Sequence, residues 1–152
     1  MPEAILYFAY AEFLDPERIA SVAPGAKFRF TAHYPETRLA FVSNGSAPVA
    51  TLHDDAGHTV WGAVFEVPSA EVAALTAAEK AEGRVPGWSM RAVDREGNKH
   101  ECLTFVSPDP ANGHHSPESE NLLAMIAGAR HWKLPAGWVV GLEDLAEEPL
   151  FG

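Results

Sequence analysis

The sequence holds a single cysteine, Cys102, so no internal disulfide can form. That suits a reducing compartment, and a cytoplasmic protein is the expectation. Clustered cations are also scarce. Lys and Arg number 11 against 21 Asp and Glu, a net charge of −10, and no run of basic residues exceeds a pair of neighbours. Phosphate-backbone binding needs such clusters, which argues against a nucleic-acid partner. A negative total mainly serves solubility and names no ligand. No apolar stretch approaches the ~20 residues of a membrane-spanning helix. The N-terminus lacks the basic start and long apolar run of a signal peptide, so no membrane partner is expected. Internal repeats and low-complexity segments are missing too. Against these absences, 47% apolar and 10% aromatic residues in a chain of 152 point to a packed core. That length suits one domain, residues 1–152, and is too short for two comfortable ones.

Ala4-Ile5-Leu6-Tyr7-Phe8-Ala9-Tyr10 is short, continuous and apolar, the pattern of a strand covered on both faces. Asp15-Pro16 then opens a brief helix, Pro16 to about Val22, stopped by Pro24-Gly25. Ala26 to His33 alternates and predicts a strand with Phe28 and Phe30 inward; Leu39 to Val42 is a second apolar segment. Ser43-Asn44-Gly45-Ser46 is rich in turn formers. Pro48 to Leu52 and Val60 to Val67 flank Asp54-Asp55-Ala56-Gly57, which predicts a hairpin turn. Ser69 is placed to cap a helix over Ala70 to Ala81, with Val72, Leu75 and Ala78 inward, ending at Gly83. Met90 to Val93 and Glu101 to Val106 pair across Asp94–Asn98. Two helices close the chain, Glu120 to about Trp132 and Pro135 to about Leu145. Hairpins outnumber helices and strands do not alternate with them. The pattern therefore predicts a mixed α+β domain, with a small β-barrel and flanking helices as one arrangement that periodicity alone cannot supply.

Seven histidines raise a metal reading. His53-Asp54-Asp55 with His58 spans the predicted turn, and His114-His115 lies in a loop rich in Pro, Asn and Gly. Neither has the short helical His spacing or the cysteine pairing of a metal centre, so no metal and no cofactor is expected. Cys102, two residues from His100, is expected as a buried strand cysteine. Ser43 and Ser46 lack the strand–Ser–helix elbow of a hydrolase. Trp132 and Trp138 are expected to pack the C-terminal helices onto the sheet. Tyr7 and Tyr10 are expected in the core, with their hydroxyls partnered at its edge.

Tyr7-Phe8-Ala9-Tyr10 followed by Leu14 resembles the YFAYGSNL signature of the γ-glutamylcyclotransferase-like family, which includes the AIG2-like proteins. Three further elements follow in the family's order. Val60-Trp61-Gly62-Ala63-Val64 resembles its V-W-G-V-V strand, Glu82-Gly83 through Gly87 its E-G segment, and Gly128-Ala129 with Leu134-Pro135 its ending. The resemblance implies a compact mixed barrel with flanking helices and a cavity at one end. It implies a small-molecule substrate, bound by the loop after the first strand: Tyr7, Ala9, Tyr10, Ala11, Glu12, Phe13 and Leu14. It also implies that Glu82 accepts a proton from the substrate α-amine, which attacks the γ-carbonyl to give 5-oxoproline and a free amine.

The sequence departs from the family where Gly-Ser-Asn is replaced by Ala11-Glu12-Phe13. Ala11 restricts the backbone, Glu12 adds a charge and Phe13 adds bulk. Glu12 has two readings, a pocket carboxylate that repels an anion or attracts an ammonium, and an exposed residue assisting the next helix. Two tyrosine positions of the family fall near Trp88-Ser89 and at Asn121. Two functions therefore stand: a cyclotransferase acting on a γ-glutamyl compound or related amide, and a binding or interaction protein that kept the fold without the reaction. The oligomeric state is left open.

Overall fold

The computed structural model describes residues 3–43, 47–87, 90–109, 115 and 117–147. Trp88, Ser89, His114 and the tip Asn44-Gly45-Ser46 lie outside them. In chain order the elements are β1 (Ala4–Ala9), a 3-10 turn (Glu12–Leu14), α1 (Pro16–Val22), β2 (Lys27–Val42) and β3 (Val49–Pro68). A second 3-10 turn (Ser69–Glu71) leads into α2 (Val72–Ala81), then β4 (Val85–Pro86), β5 (Met90–Asp94), β6 (Lys99–Cys102) and β7 (Phe105–Val106). The chain closes with α3 (Ser119–His131) and α4 (Ala136–Glu147). Among the described residues no helix is long and apolar enough to cross a membrane.

The α+β class and the flanking helices agree with expectation, but the sheet is open and not a barrel. Five strands run in the order β1-β3-β2-β5-β6, each antiparallel to its neighbour. That alternation makes the edge strands β1 and β6 parallel. They meet at one isolated bridge, Tyr7 to Leu103, where Phe8 N–H donates to Leu103 O at 3.0 Å and Leu103 N–H to Leu6 O at 2.8 Å. The chain then diverts. The Thr104 hydroxyl is taken by Tyr34 Oη at 2.6 Å and its carbonyl by Gly87 N–H at 2.7 Å. Phe105-Val106 therefore pairs with Val85-Pro86 in a separate two-stranded sheet, and the predicted strand Glu101 to Val106 is split.

The middle of the sheet also differs from expectation. The two segments predicted at 26–33 and 39–42 belong to one strand, Lys27–Val42, and Asp54–Gly57 is no hairpin turn. Pro35 pairs with Thr59 and Thr37 with Asp54, so residues 55–58 bulge out opposite Glu36 alone. Glu36 takes a left-handed φ of 56°, and its carboxylate accepts the Gly57 N–H at 2.9 Å. The turn chemistry of Asp-Asp-Ala-Gly is thus used inside a continuous strand. A second register shift, between Phe28 and Phe30, sends the two rings to opposite faces, Phe28 opposite Phe65 on the helix side and Phe30 opposite Val64. Phe28 is 36% exposed and stacks on Trp132 with ring centroids 4.7 Å apart. The helix predicted from Ala70 begins two residues later, at Val72, because Ser69–Glu71 forms a 3-10 turn first.

Side chains alternate along β1 as a strand covered on both faces requires. Tyr7 and Ala9 enter the larger core with Phe65, Leu75, Met125 and Ala129, against the helices. Phe8 and Tyr10 enter the other core with Ala32, Tyr34, Val64, Ala92 and Cys102. The thiol of Cys102 is pushed up to about 11 by burial, which fits a packing residue rather than a nucleophile.

Candidate functional site

The site begins where β1 ends. Tyr10, Ala11, Glu12, Phe13 and Leu14 are all buried. Leu14 N–H donates to Ala11 O and Asp15 N–H to Glu12 O, both at 3.1 Å, which closes the 3-10 turn. The first N–H groups of such a turn, on Glu12 and Phe13, find no partner within it. Asp15 then accepts the Glu17 N–H at 3.1 Å and caps α1, with Pro16 at its first position. Helix α3 presses on the turn from outside. Gly128 stands so close that a Cβ there would lie 2.2 Å from the Leu14 carbonyl, and Trp132 Nε1–H donates to Leu14 O at 2.7 Å.

Glu82 sits at the other side of the site, at the end of α2. The helix closes in a Schellman arrangement: Gly83 N–H donates to Lys80 O at 2.9 Å and Arg84 N–H to Glu79 O at 3.0 Å. This needs a left-handed residue just past the cap, and Gly83 supplies it at φ +94°. Glu82 is half-buried, with a pKa above the usual carboxylate value. Burial is the first cause and the charge of Glu12 the second; Glu118 acts the same way, while Arg84 and Arg18 oppose it. The charge of Glu12 on the turn is thus felt by Glu82 at the helix end.

Between them runs a buried polar network that sequence reasoning missed. Arg84, 1% exposed, donates through Nη2 to Glu12 Oε1, through Nε to Glu79 Oε1 at 2.7 Å and through Nη1 to Ala50 O at 3.2 Å. Tyr7 Oη–H donates to the second oxygen of Glu79 at 2.6 Å. Burial raises the pKa of Glu79, and Arg84 and the Tyr7 hydroxyl oppose that rise. Tyr10 Oη–H donates to Phe105 O at 2.6 Å.

The seven residues named from the sequence divide between the two cores, Tyr7, Ala9, Phe13 and Leu14 in the larger and Tyr10 and Ala11 in the other, while Glu12 pairs with Arg84 and its charge acts on Glu82. Neither reading of Glu12 describes its position fully: it is buried, not exposed, and one of its oxygens is held by Arg84. Tyr7 and Tyr10 are core residues with partnered hydroxyls. Asn121, where the family carries a tyrosine, accepts from Arg18 Nη1 at 2.9 Å. Glu79 and Arg84 gave little signal. Glu79 lies three residues before Glu82, a same-face spacing, but nothing local marks a fully buried arginine. Among the described residues no three or more His, Cys, Asp or Glu side chains are placed to hold a metal ion. His53 and His58 lie on β3, with His58 Nε2 3.5 Å from Asp55 Oδ2.

Comparison with known proteins agrees with this fold. Human gamma-glutamylcyclotransferase is 27% identical over 144 residues, covering 88% of this chain and 74% of its own. The mouse protein of the same name is 26% identical over 144 residues, with the same coverage. A solved structure named gamma-glutamyl cyclotransferase superposes with a TM-score of 0.85 at 23% identity, covering 99% of this chain and 92% of its own, which establishes the fold. The family profile described as gamma-glutamyl cyclotransferase, AIG2-like matches residues 7–124, from the first tyrosine of β1 into α3. The chain belongs to the gamma-glutamyl cyclotransferase, AIG2-like family.

Proposed function

We propose that this protein is a cyclotransferase that closes a γ-glutamyl amide, or a related compound, to 5-oxoproline and releases an amine or amino acid. Glu82 is the general base. It takes a proton from the substrate ammonium, the freed amine attacks the γ-carbonyl, and the C–N bond to the leaving amine breaks as that amine takes up a proton. The single observation that carries this reading is the setting of Glu82, half-buried at a helix end, with its proton affinity raised by burial and by Glu12. A base of raised pKa is better matched to an ammonium near neutrality than an ordinary glutamate is. The C-terminal end of α2 acts in the same direction.

The remaining demands of the reaction are modest. Lactam closure is intramolecular, and well-aligned reactions of this type reach effective molarities of ~10⁵–10⁸ M. The N–H groups that open the 3-10 turn are suited to hold the substrate or its oxyanion. No cofactor enters the scheme, and the lone buried cysteine fits work in a reducing cytoplasm.

The test is to incubate the purified protein with a panel of γ-glutamyl peptides and γ-glutamyl amines and to follow 5-oxoproline. Turnover that is lost in a folded Glu82→Gln protein supports the assignment. Absence of product from every substrate, with the same ligands bound equally by both proteins, favours a binding protein that kept the fold.

A further inference from the structure

Glu12 and Arg84 form a buried charge pair beside the proposed base, and the pair with its partners reaches four separate parts of the fold. Glu12 lies on the turn after β1, Glu79 on α2, Tyr7 on β1 and Ala50 on β3; Arg84 or its carboxylate partners contact all four. Arg84 is also bonded through its backbone to Glu79 O and follows Glu82 by two residues. A guanidinium is a rigid planar fork, so two carboxylates on different N–H groups fix their relative positions in a way an ammonium does not.

We propose that Arg84 is the positioning residue of the site: paired with Glu12 on the turn and with Glu79 on α2, it holds the Ala11–Leu14 loop and the Glu82 backbone in one frame. The inference rests on the cyclotransferase reading for its consequence in turnover, but not for the frame itself. Glu12 in this arrangement is a fixed charge acting on Glu82, not a free substrate ligand. The charged groups that act on Glu82 are Glu12 from the turn, Arg18 from α1, Glu118 at the start of α3, and Arg84 itself. Of the carboxylates among them, Glu12 is the larger influence on Glu82, so its charge is expected to register there.

The test compares Arg84→Lys and Glu12→Gln with the parent protein by three readouts. Amide hydrogen exchange at Ala11–Leu14 reads the frame, carbon NMR titration of the Glu82 carboxyl reads its proton affinity, and 5-oxoproline formation reads catalysis. Arg84→Lys keeps the charge and loses the fork. It should speed exchange at Ala11–Leu14 by tenfold or more and lower kcat by ~10²-fold, with KM changed less. Glu12→Gln should speed the same exchange and move the Glu82 titration to lower pH. Parental exchange at Ala11–Leu14 in both variants, or an unmoved Glu82 titration in Glu12→Gln, overturns the proposal. Should Arg84→Lys fail to fold, Glu12→Gln alone decides, because Arg84 there keeps Glu79. Exchange and titration need no turnover, so an inactive parent protein sinks the cyclotransferase reading and leaves this one to be judged on the frame.

Discussion

Replacing Gly128 by alanine tests whether α3 sets the substrate loop. An ideal Cβ at Gly128 would stand 2.2 Å from the Leu14 carbonyl, whereas ordinary contact begins at 3.4 Å, a shortfall of 1.2 Å. The obstruction is backbone, so no side chain can swing away. Helix α3 and the turn must separate by about an ångström, and the 2.7 Å bond from Trp132 to Leu14 O stretches out of hydrogen-bonding range. Overpacking of this kind costs about 1–3 kcal/mol, and the lost hydrogen bond roughly 1 more. The better helix propensity of alanine returns about 1 kcal/mol. The net expectation is a loss of about 1–3 kcal/mol, seen as a Tm lower by roughly 2–10 °C in a domain of this size. Urea denaturation should show a lower midpoint at unchanged slope. Gly137 in α4 is the control, because a Cβ there meets nothing within 4 Å, so Gly137→Ala should hold or raise stability. A displaced turn should also lower 5-oxoproline formation by ~10²-fold. If Gly128→Ala melts at or above the parent temperature while Gly137→Ala behaves as expected, the close approach is not what positions the loop.

Three further outcomes follow from Glu79 and Glu82. Tyr7→Phe removes the hydroxyl that donates to Glu79 and should destabilise by about 1.5–3 kcal/mol in equilibrium unfolding, since the acceptor is a buried carboxylate; an effect within a few tenths would mean that Glu79 finds another donor. Glu82 has a folded-state pKa raised above its ordinary 4.5, so turnover should fall on acidification at a pH above that value, and the acid limb should vary with substitution of Glu12. The same sign governs stability. A carboxyl with a raised folded pKa favours the fold while protonated and loses that advantage as pH rises through the folded value. Glu82→Gln should therefore melt higher than the parent at neutral pH, and the difference should close as pH falls below the ordinary value of 4.5; a lower melting temperature at neutral pH contradicts the burial penalty.

Local features of the chain were legible wherever the determining interactions are local. Asp15-Pro16 capping α1, the two-faced apolar run of β1, and the Gly83 stop after Glu82 depend on residues within a turn of one another. Short-range geometry decides them. The order of the family's motifs carried the fold in the same way, since each marks a strand or helix end. Where long-range contacts decide, the sequence misleads or says nothing. Asp54–Gly57 carries turn chemistry, yet β2 pairs on past it and absorbs it as a bulge. Phe28 and Phe30 alternate as a pair sharing one face, yet a register shift between them sends them to opposite faces. Barrel closure fails because Thr104 is drawn to Tyr34 and Gly87, residues distant in the chain. The charge pair is the clearest case. Glu12 and Arg84 are 72 positions apart, and neither is marked in the sequence as buried. An ion leaves water only where the assembled fold supplies its counter-ion and hydrogen-bond partners. The sequence determined where the loop begins and which glutamate ends the helix; the packing of α2, β1 and β3 around one guanidinium decided what that loop can do.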